Sequence, residues 1–368
     1  TKGIAVCLAA LMTVPAVSGC QDSGISADGK VNLSFQIWDV AQRDGMQAII
    51  DAYQAQNPNV TIELQVTSWD EYWTKLDAAA ESNQLPDIFW MHTNQILKYA
   101  DYGMLADVTS LYDDEDPNYY TEHFSEISLD NAKGSDGRIY GVPKDKDTVC
   151  LAYNRELFDQ AGVAYPDETW TWDTLCEASA QIYEKTGKYG YMAYADEQLG
   201  YWNFVYQAGG SILNEDKTAA CFTDPATKKG MEFYINLQKE PWCPDQNYFA
   251  ETAPGNAFMS GQGAMYLEGN WNLMSLRENN AEMEGKWDVA VLPKCPDPVN
   301  GDGRATISNG LCYSTGAHGK KLEYALDFLK FCGSEEGQRV QGLSGAAIPA
   351  YIGLEDTWVS AFDKFDYD

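Results

Sequence analysis

Between residues 31 and 103 the hydrophobic period switches repeatedly, and this restricts the fold more than any other feature of the chain. Val31, Leu33, Phe35 and Ile37 alternate with polar residues, the period-two pattern of a strand. Met46, Ile49, Ile50 and Tyr53 recur at i, i+3, i+4, i+7, one face of a helix, which Asn57-Pro58 ends. Val60, Ile62, Leu64 and Val66 return to period two. Ser68 and Glu71 have the spacing of a capping box for a helix carrying Trp73, Leu76 and Ala80. Pro86 then opens a short strand over 87–91, and a helix follows that stops at Gly103. The order β-α-β-α-β implies a parallel sheet covered by helices on both faces, hence an α/β protein.

Later segments continue the pattern. The Asp136-Gly137 turn leads into 138–142 and a strand over 148–153. Helical patterns recur at 172–185, at 224–239 with Asp224 as N-cap and Pro225 at N1, and at 319–332. Short strands are expected at 287–292 and 311–314, and there are no internal repeats. Ahead of all this, Lys2 precedes a short apolar run that ends in Val17-Ser18-Gly19-Cys20. A basic residue, about 15 apolar residues and a small-residue end read as a secretory signal over 1–19, too short to span a bilayer that needs roughly 20. Residues 20–30 then form a small, polar tether. The roughly 350 residues after the signal suffice for two domains.

Composition narrows the ligand. Without Lys2, 24 basic residues face 55 acidic ones, a net charge of −31. That argues against nucleic acid and anionic lipid as ligands, because both reward positive patches. Aromatic residues make up 13%, including 11 Trp and 23 Tyr, a supply of flat faces for ligand contact as well as for core. Of nine cysteines, Cys7 lies in the signal, and the rest form no CxxC or Cys/His cluster, which excludes zinc and iron–sulfur patterns. Cys243 and Cys295, each beside a proline, are a candidate pair. No P-loop, no GxGxxG after a strand and no HExxH occurs, so no cofactor and no catalytic metal is indicated. Asn300-Gly-Asp302-Gly hints at calcium but lacks EF-hand spacing, and the acidic run 113–116 reads as a solvated loop.

Several segments in order carry a resemblance. They are Leu85-Pro-Asp-Ile-Phe-Trp90-Met-His92, Tyr140-Gly-Val-Pro143-Lys-Asp145-Lys-Asp147, Leu151-Ala-Tyr-Asn154-Arg-Glu-Leu-Phe158 with Ala161-Gly162, and Thr169-Trp-Thr-Trp172. Gln207-Ala-Gly-Gly210, Gly269-Asn-Trp271, Val289-Ala-Val-Leu-Pro293 and Gly345-Ala-Ala-Ile-Pro349 follow. From about Val31 to its end the chain resembles the family 1 extracellular solute-binding proteins, the sugar-binding components of ABC importers related to maltose-binding protein. The resemblance implies a two-lobe periplasmic-binding-protein-like fold, each lobe a mainly parallel sheet with flanking helices, with a ligand cleft between the lobes. The lobes are expected at 31–146 with 305–350 and at 149–302 with 353–368; family members usually continue for several more helices, so the chain is either a fragment, its second lobe truncated, or a short member. Crossings are expected near 145–148 and 303–305. Ser18-Gly19-Cys20 resembles a lipobox, so Cys20 is the expected lipidation site.

A sugar needs carboxylates and amides for its hydroxyls and rings under its C–H faces. Residues after strand C-terminal ends face the crevice of open sheets. Trp38 and Asp39 end the first strand, Trp90 and His92 the third, with Asn94 just beyond. Trp73 lies on the helix stripe, shared between core and cleft, while Lys144 and Asp145 are either site residues or a hinge pair. Asp147, between two apolar segments, needs a reason to be there. By resemblance, Asp147 is a ligand carboxylate, Trp271 a stacking ring and the Trp202 region a sugar contact. Asn309 is a site residue or a turn. Together these imply a non-enzymatic, monomeric receptor delivering a carbohydrate to membrane permease subunits. It would be lipid-anchored on the outer face of the cytoplasmic membrane of a Gram-positive-type cell. The competing readings are a secreted glycoside hydrolase, which needs two suitably spaced carboxylates, and a sensory module for a receptor kinase.

Overall fold

The structure, a computed structural model, describes residues 25–26, 29–112, 121–278, 283–316 and 318–363. The expected signal, Cys20 and the acidic run 113–116 lie outside the described residues. Strand β1 (Val31–Ile37) pairs in parallel with β2 (Val60–Val66) along its full length and with β3 (Ile88–His92). Helix α1 (Arg43–Gln56) buries Met46, Ile49, Ile50 and Tyr53, the stripe expected from its period. Helix α2 (Trp69–Glu81) follows Ser68, whose side chain makes no capping bond. The capping box therefore does not form: Glu71 instead reaches forward to Lys75, 2.8 Å away. Helix α3 (Thr93–Asp101) leaves directly from β3.

The first sheet has the order β2-β1-β3-β9-β4, where β4 is Val142–Pro143 and β9 is Leu311–Ser314. The second has β5 (Asp147–Asn154) between β6 (Met265–Gly269) and β7 (Trp287–Ala290). A two-residue strand β8 (Ser308–Asn309) also pairs with β5. In the first sheet β9 alone runs against its neighbours. In the second, all three partners of β5 are antiparallel to it, so the expected mainly parallel sheet is corrected there. Connectivity explains this. β5 and β9 each begin at the crossing, whereas β3 ends at His92 beside the cleft and β6 at Gly269 just before Trp271, so each crossing strand runs opposite to that neighbour.

The chain passes from β4 to β5 through Lys144, Asp145 and Lys146, and back from β8 to β9 through Gly310. Asp147 lies opposite Asn309 and Thr148 opposite Ser308, so the two passages form one short antiparallel ribbon. The return crossing is thus at 308–311, not near 303–305. Ile307 is still bound to the second side, its N–H donating to Asn203 Oδ1 at 2.8 Å. Gly310 must be glycine, because a Cβ there would sit 2.8 Å from the Asp145 carbonyl oxygen. A third segment joins the ribbon: Lys146 N–H donates to Ile348 O, and Lys146 Nζ meets Glu355 Oε1 at 2.5 Å. Beyond it, Trp358 and Phe362 pack against the cluster of Phe258, Met283 and Trp287.

Separate apolar clusters fill the two sides. Phe35, Phe89, Trp90, Tyr313 and Phe328 are central to the first, and Leu151, Phe158, Leu175, Phe204 and Leu267 to the second. Cys243 and Cys295 are both buried free thiols, so the candidate pair does not form. Each sulfur sits in its own polar contact, Cys243 accepting from Ala193 N–H and Cys295 facing Asp297.

The crossing itself holds a buried ion pair. Lys144 Nζ lies 2.5 Å from Asp145 Oδ2, with both side chains wholly inaccessible. The ammonium also donates to Gln42 Oε1 at 2.8 Å and stands 4.4 Å over the Trp90 ring, and Asp145 Oδ1 accepts the Leu311 N–H at 2.7 Å. Removing one partner leaves the other charged and buried, so Lys144→Met is expected to cost about 3–5 kcal/mol in urea unfolding. Adding Asp145→Asn should recover part of that loss. Equal midpoints for wild type and Lys144→Met would show that the pair contributes nothing.

Candidate functional site

The strand ends and the crossing ribbon converge on one cleft. Trp38 and Asp39 follow β1, Gln42 leads into α1, Trp69 begins α2, and His92 ends β3. From the other side come Asp147 of β5, Asn309 of β8, Trp271 of the helix Asn270–Glu278 and Gln198 of the turn Glu197–Tyr201. With Leu311 these residues line a cavity of about 200 Å³. A second compartment of about 480 Å³ shares His92, Gln198 and Asn309 and adds Asn94, Glu197, Trp202 and Tyr206. The two therefore form one elongated cleft.

Its first wall is aromatic. Trp38 packs edge-to-face on Trp69 at 5.1 Å and on Trp90 at 5.1 Å, and Trp69 stacks edgewise on Trp73 at 5.4 Å. Such edge-to-face packing fixes the ring planes. Trp69 remains 42% exposed. Across the cleft, the Trp271 ring folds back over Gly269, where a Cβ would stand 2.2 Å from it. The Gly269-Asn-Trp271 spacing thus has a steric reason.

Polar groups complete the lining. Asp39 accepts from Ala41 N–H at 2.9 Å and from Gln42 Nε2 at 3.0 Å. Asn309 Nδ2 donates to Gln198 Oε1, while Asn309 Oδ1 is buried with no protein donor. Asp147 Oδ1 accepts from Asn270 Nδ2 at 3.1 Å. Burial, together with the negative charge of Asp145, pushes the Asp147 carboxyl well above the usual carboxylate range. His92 Nδ1 accepts the Asn94 N–H at 3.2 Å and caps α3, and burial holds its imidazole below the ordinary histidine range.

Eight of the twelve expected site residues border the cleft: Trp38, Asp39, His92, Asn94, Asp147, Trp202, Trp271 and Asn309. Four do not line either compartment. Trp90 is 0% exposed, because β3 is covered on both faces, and it supports Trp38 from behind. Trp73 packs against Trp38, Trp69 and Tyr99 as part of the same backing. Lys144 and Asp145 are the buried crossing pair, screened from the cleft by Gln42. Trp69, Gln42 and Gln198 were missed. Trp69 precedes the apolar stripe of α2, and the signal that could have found it is a tryptophan placed just after the N-cap Ser68. Gln42 and Gln198 carry no sequence signal of their own.

Among the described residues no group of three or more His, Cys, Asp or Glu side chains could hold a metal ion. At the calcium-like segment, Asn300 Nδ2 donates to Gly209 O and ties this loop to that segment, while Asp302 Oδ1 accepts from Arg304 N–H and closes a turn.

Two helix-flanked sheets, a crossing ribbon and a cleft above it define a two-lobe solute receptor. A profile for bacterial extracellular solute-binding proteins matches residues 48–352, and the chain belongs to that family. It is 22% identical over 346 residues to the diacetylchitobiose-binding protein DasA of Streptomyces coelicolor, covering 92% of this chain and 79% of that one. It is 25% identical over 303 residues to an uncharacterised lipoprotein of Streptomyces antibioticus, covering 79% and 64%. Among solved structures it is similar to an ABC substrate-binding protein of Listeria monocytogenes in complex with cycloalternan, with a TM-score of 0.79, 24% identity and coverage of 92% and 84%. Family and relatives are binding proteins, and this chain is a binding protein and not an enzyme.

His92 yields a pH prediction. Its folded-state pKa lies below that of the unfolded chain, so protonation favours unfolding and stability falls as pH drops below about 6.5. His92→Ala should cost about 1 kcal/mol at pH 8 by loss of the cap. The cost should shrink at pH 5.5, where wild type has lost the histidine contribution. Thermal melts of both proteins across this range check it, and a gap that stays constant with pH contradicts it.

Proposed function

We propose that this chain captures a sugar or oligosaccharide without chemical change and delivers it to the permease of an ABC importer. One observation carries the reading: the rings of Trp38, Trp69 and Trp271 line a cavity whose other walls, His92 and Leu311 apart, are carboxylate and amide, with Asn309 Oδ1 unspent. Rings suit the C–H faces of a pyranose, and carboxylates and amides suit its hydroxyls. No lysine or arginine lines either compartment, which disfavours an anionic solute. The relatives named for diacetylchitobiose and cycloalternan support a carbohydrate of more than one ring, as does the continuity of the two compartments.

In this reading 31–146 with 311–350 forms one lobe and 149–307 with 353–363 the other, the expected boundary at 305 moving to the observed return crossing, and the crossing ribbon is the hinge on which the lobes close. The twelve sequence candidates then divide into eight ligand contacts and four residues that brace them. Lipidation at Cys20, after removal of 1–19, would hold a monomeric receptor beside its permease on the outer face of the membrane. The similarity to a Streptomyces lipoprotein supports this, as does the lipobox-like Ser18-Gly19-Cys20.

A thermal-shift screen against mono- and oligosaccharides tests the proposal, because a ligand at 100 times its Kd stabilises by about 2.7 kcal/mol. A stabilising sugar recovered intact is the expected result. Turnover of that sugar, or no response to any carbohydrate, would overturn it. For a sugar so identified, Trp271→Ala and Trp69→Ala should each weaken calorimetric binding by more than about 1 kcal/mol. Unchanged affinity in a folded variant removes that ring from the site.

A further inference from the structure

Four acidic side chains are less than a tenth exposed among the described residues: Asp87, Asp145, Asp147 and Glu268. Three have several polar partners. Asp87 meets Lys321 Nζ at 2.9 Å and accepts from Ser34 N–H and Oγ–H. Asp145 has Lys144 and the Leu311 N–H. Glu268 has no cation but accepts three hydrogen bonds, from Tyr266 OH, Gly269 N–H and Asn272 Nδ2, at 2.7 to 2.9 Å. Asp147 differs from all of them, with one neutral amide donor, Asn270 Nδ2, on one oxygen.

The surroundings of Asp147 are acidic. On its own segment Asp145 is two residues away, the Lys144 ammonium is engaged by Asp145, Gln42 and the Trp90 face, and the adjoining Lys146 reaches away to Glu355. The first side presents Asp39 and His92. Its ribbon partner presents neutral Asn309, the helix Asn270–Glu278 presents Asn270 and Trp271, and the turn Glu197–Tyr201 presents Gln198, with Glu197 bordering the adjoining compartment. An ionised carboxylate buried beside another, without a cation of its own, is costly enough that the group keeps its proton instead.

We infer that Asp147 is a neutral carboxylic acid in the empty cleft at neutral pH and meets its solute as a hydroxyl donor, selecting a solute oxygen free to accept. The direction of its pKa, raised by burial and by Asp145, agrees. A ligand anion finds no positive charge here, whereas a hydroxyl, ether or amide oxygen finds a strong donor. The word solute rests on the function proposed above, but the protonation state does not, and its test needs no solute.

Infrared difference spectra of the ligand-free full chain, labelled with 13C at aspartate carboxyls, decide it at pH 7. Subtracting Asp147→Asn from wild type should leave a carboxylic-acid C=O band, and Asp39→Asn should retain that band. Asp147→Ala serves the same subtraction if the asparagine variant does not fold. A second readout is stability. An acid whose folded pKa is raised loses stability for the wild type as pH climbs above the unfolded value of about 3.9. The melting temperature of Asp147→Asn should therefore rise relative to wild type by about 2 °C per pH unit from about pH 4 upward. A wild-type spectrum with only carboxylate at this position, or a pH-independent gap in melting temperature, would overturn the inference. Failure of every sugar screen would leave it standing.

Discussion

The Lys144–Asp145 pair is the constraint on which the rest of the structure turns. It sits in the first passage between the two sheets, and each of its two charged groups also holds a partner beyond the pair. The ammonium binds Asp145, Gln42 and the Trp90 face, and the carboxylate binds the ammonium and the backbone of the return passage at Leu311. Gln42 in turn holds Asp39 at the cleft. A charge pair with no access to water thus fixes the register of the ribbon and, one hydrogen bond further, the orientation of a cleft carboxylate. Such pairs contribute little net stability compared with an apolar replacement, but they penalise any arrangement that separates them.

The position of the cleft follows from that ribbon. β5 and β9 enter their sheets from the crossing, so each runs against its neighbours, and the open ends of β1 and β3 come to face Asp147, Asn309 and Trp271. The first wall is stiff, because Trp38 is held edgewise by Trp69, Tyr72 and Trp90. The opposite wall depends on a glycine, since only Gly269 lets the Trp271 ring fold back as it does. Rings braced in this way lose little freedom on meeting a ligand, which favours affinity.

Where one face of an element is buried and the other wet, the sequence was readable. The stripe Met46, Ile49, Ile50 and Tyr53 is the buried face of α1, and the alternation of Val60, Ile62, Leu64 and Val66 with polar residues is β2, where Thr61, Glu63 and Gln65 are exposed. Residues wet on no side were not readable. Trp90 and Lys144 are both fully buried, and nothing in their local sequence separates a residue behind a wall from one in it. The direction of β5 was invisible too, because an apolar run looks the same in a parallel or an antiparallel sheet. The eight cleft residues were found because they follow strand ends or belong to segments resembling the family. Trp69 obeys neither rule.

The central claim is that a solute bridges the two sides of the cleft and closes them about the crossing ribbon. Small-angle X-ray scattering of the protein, first alone and then saturated with the stabilising oligosaccharide, tests this most directly. The account predicts a smaller radius of gyration in the saturated protein, with the change abolished in Trp271→Ala at an equal protein concentration. Saturation with no change in the radius of gyration would contradict it.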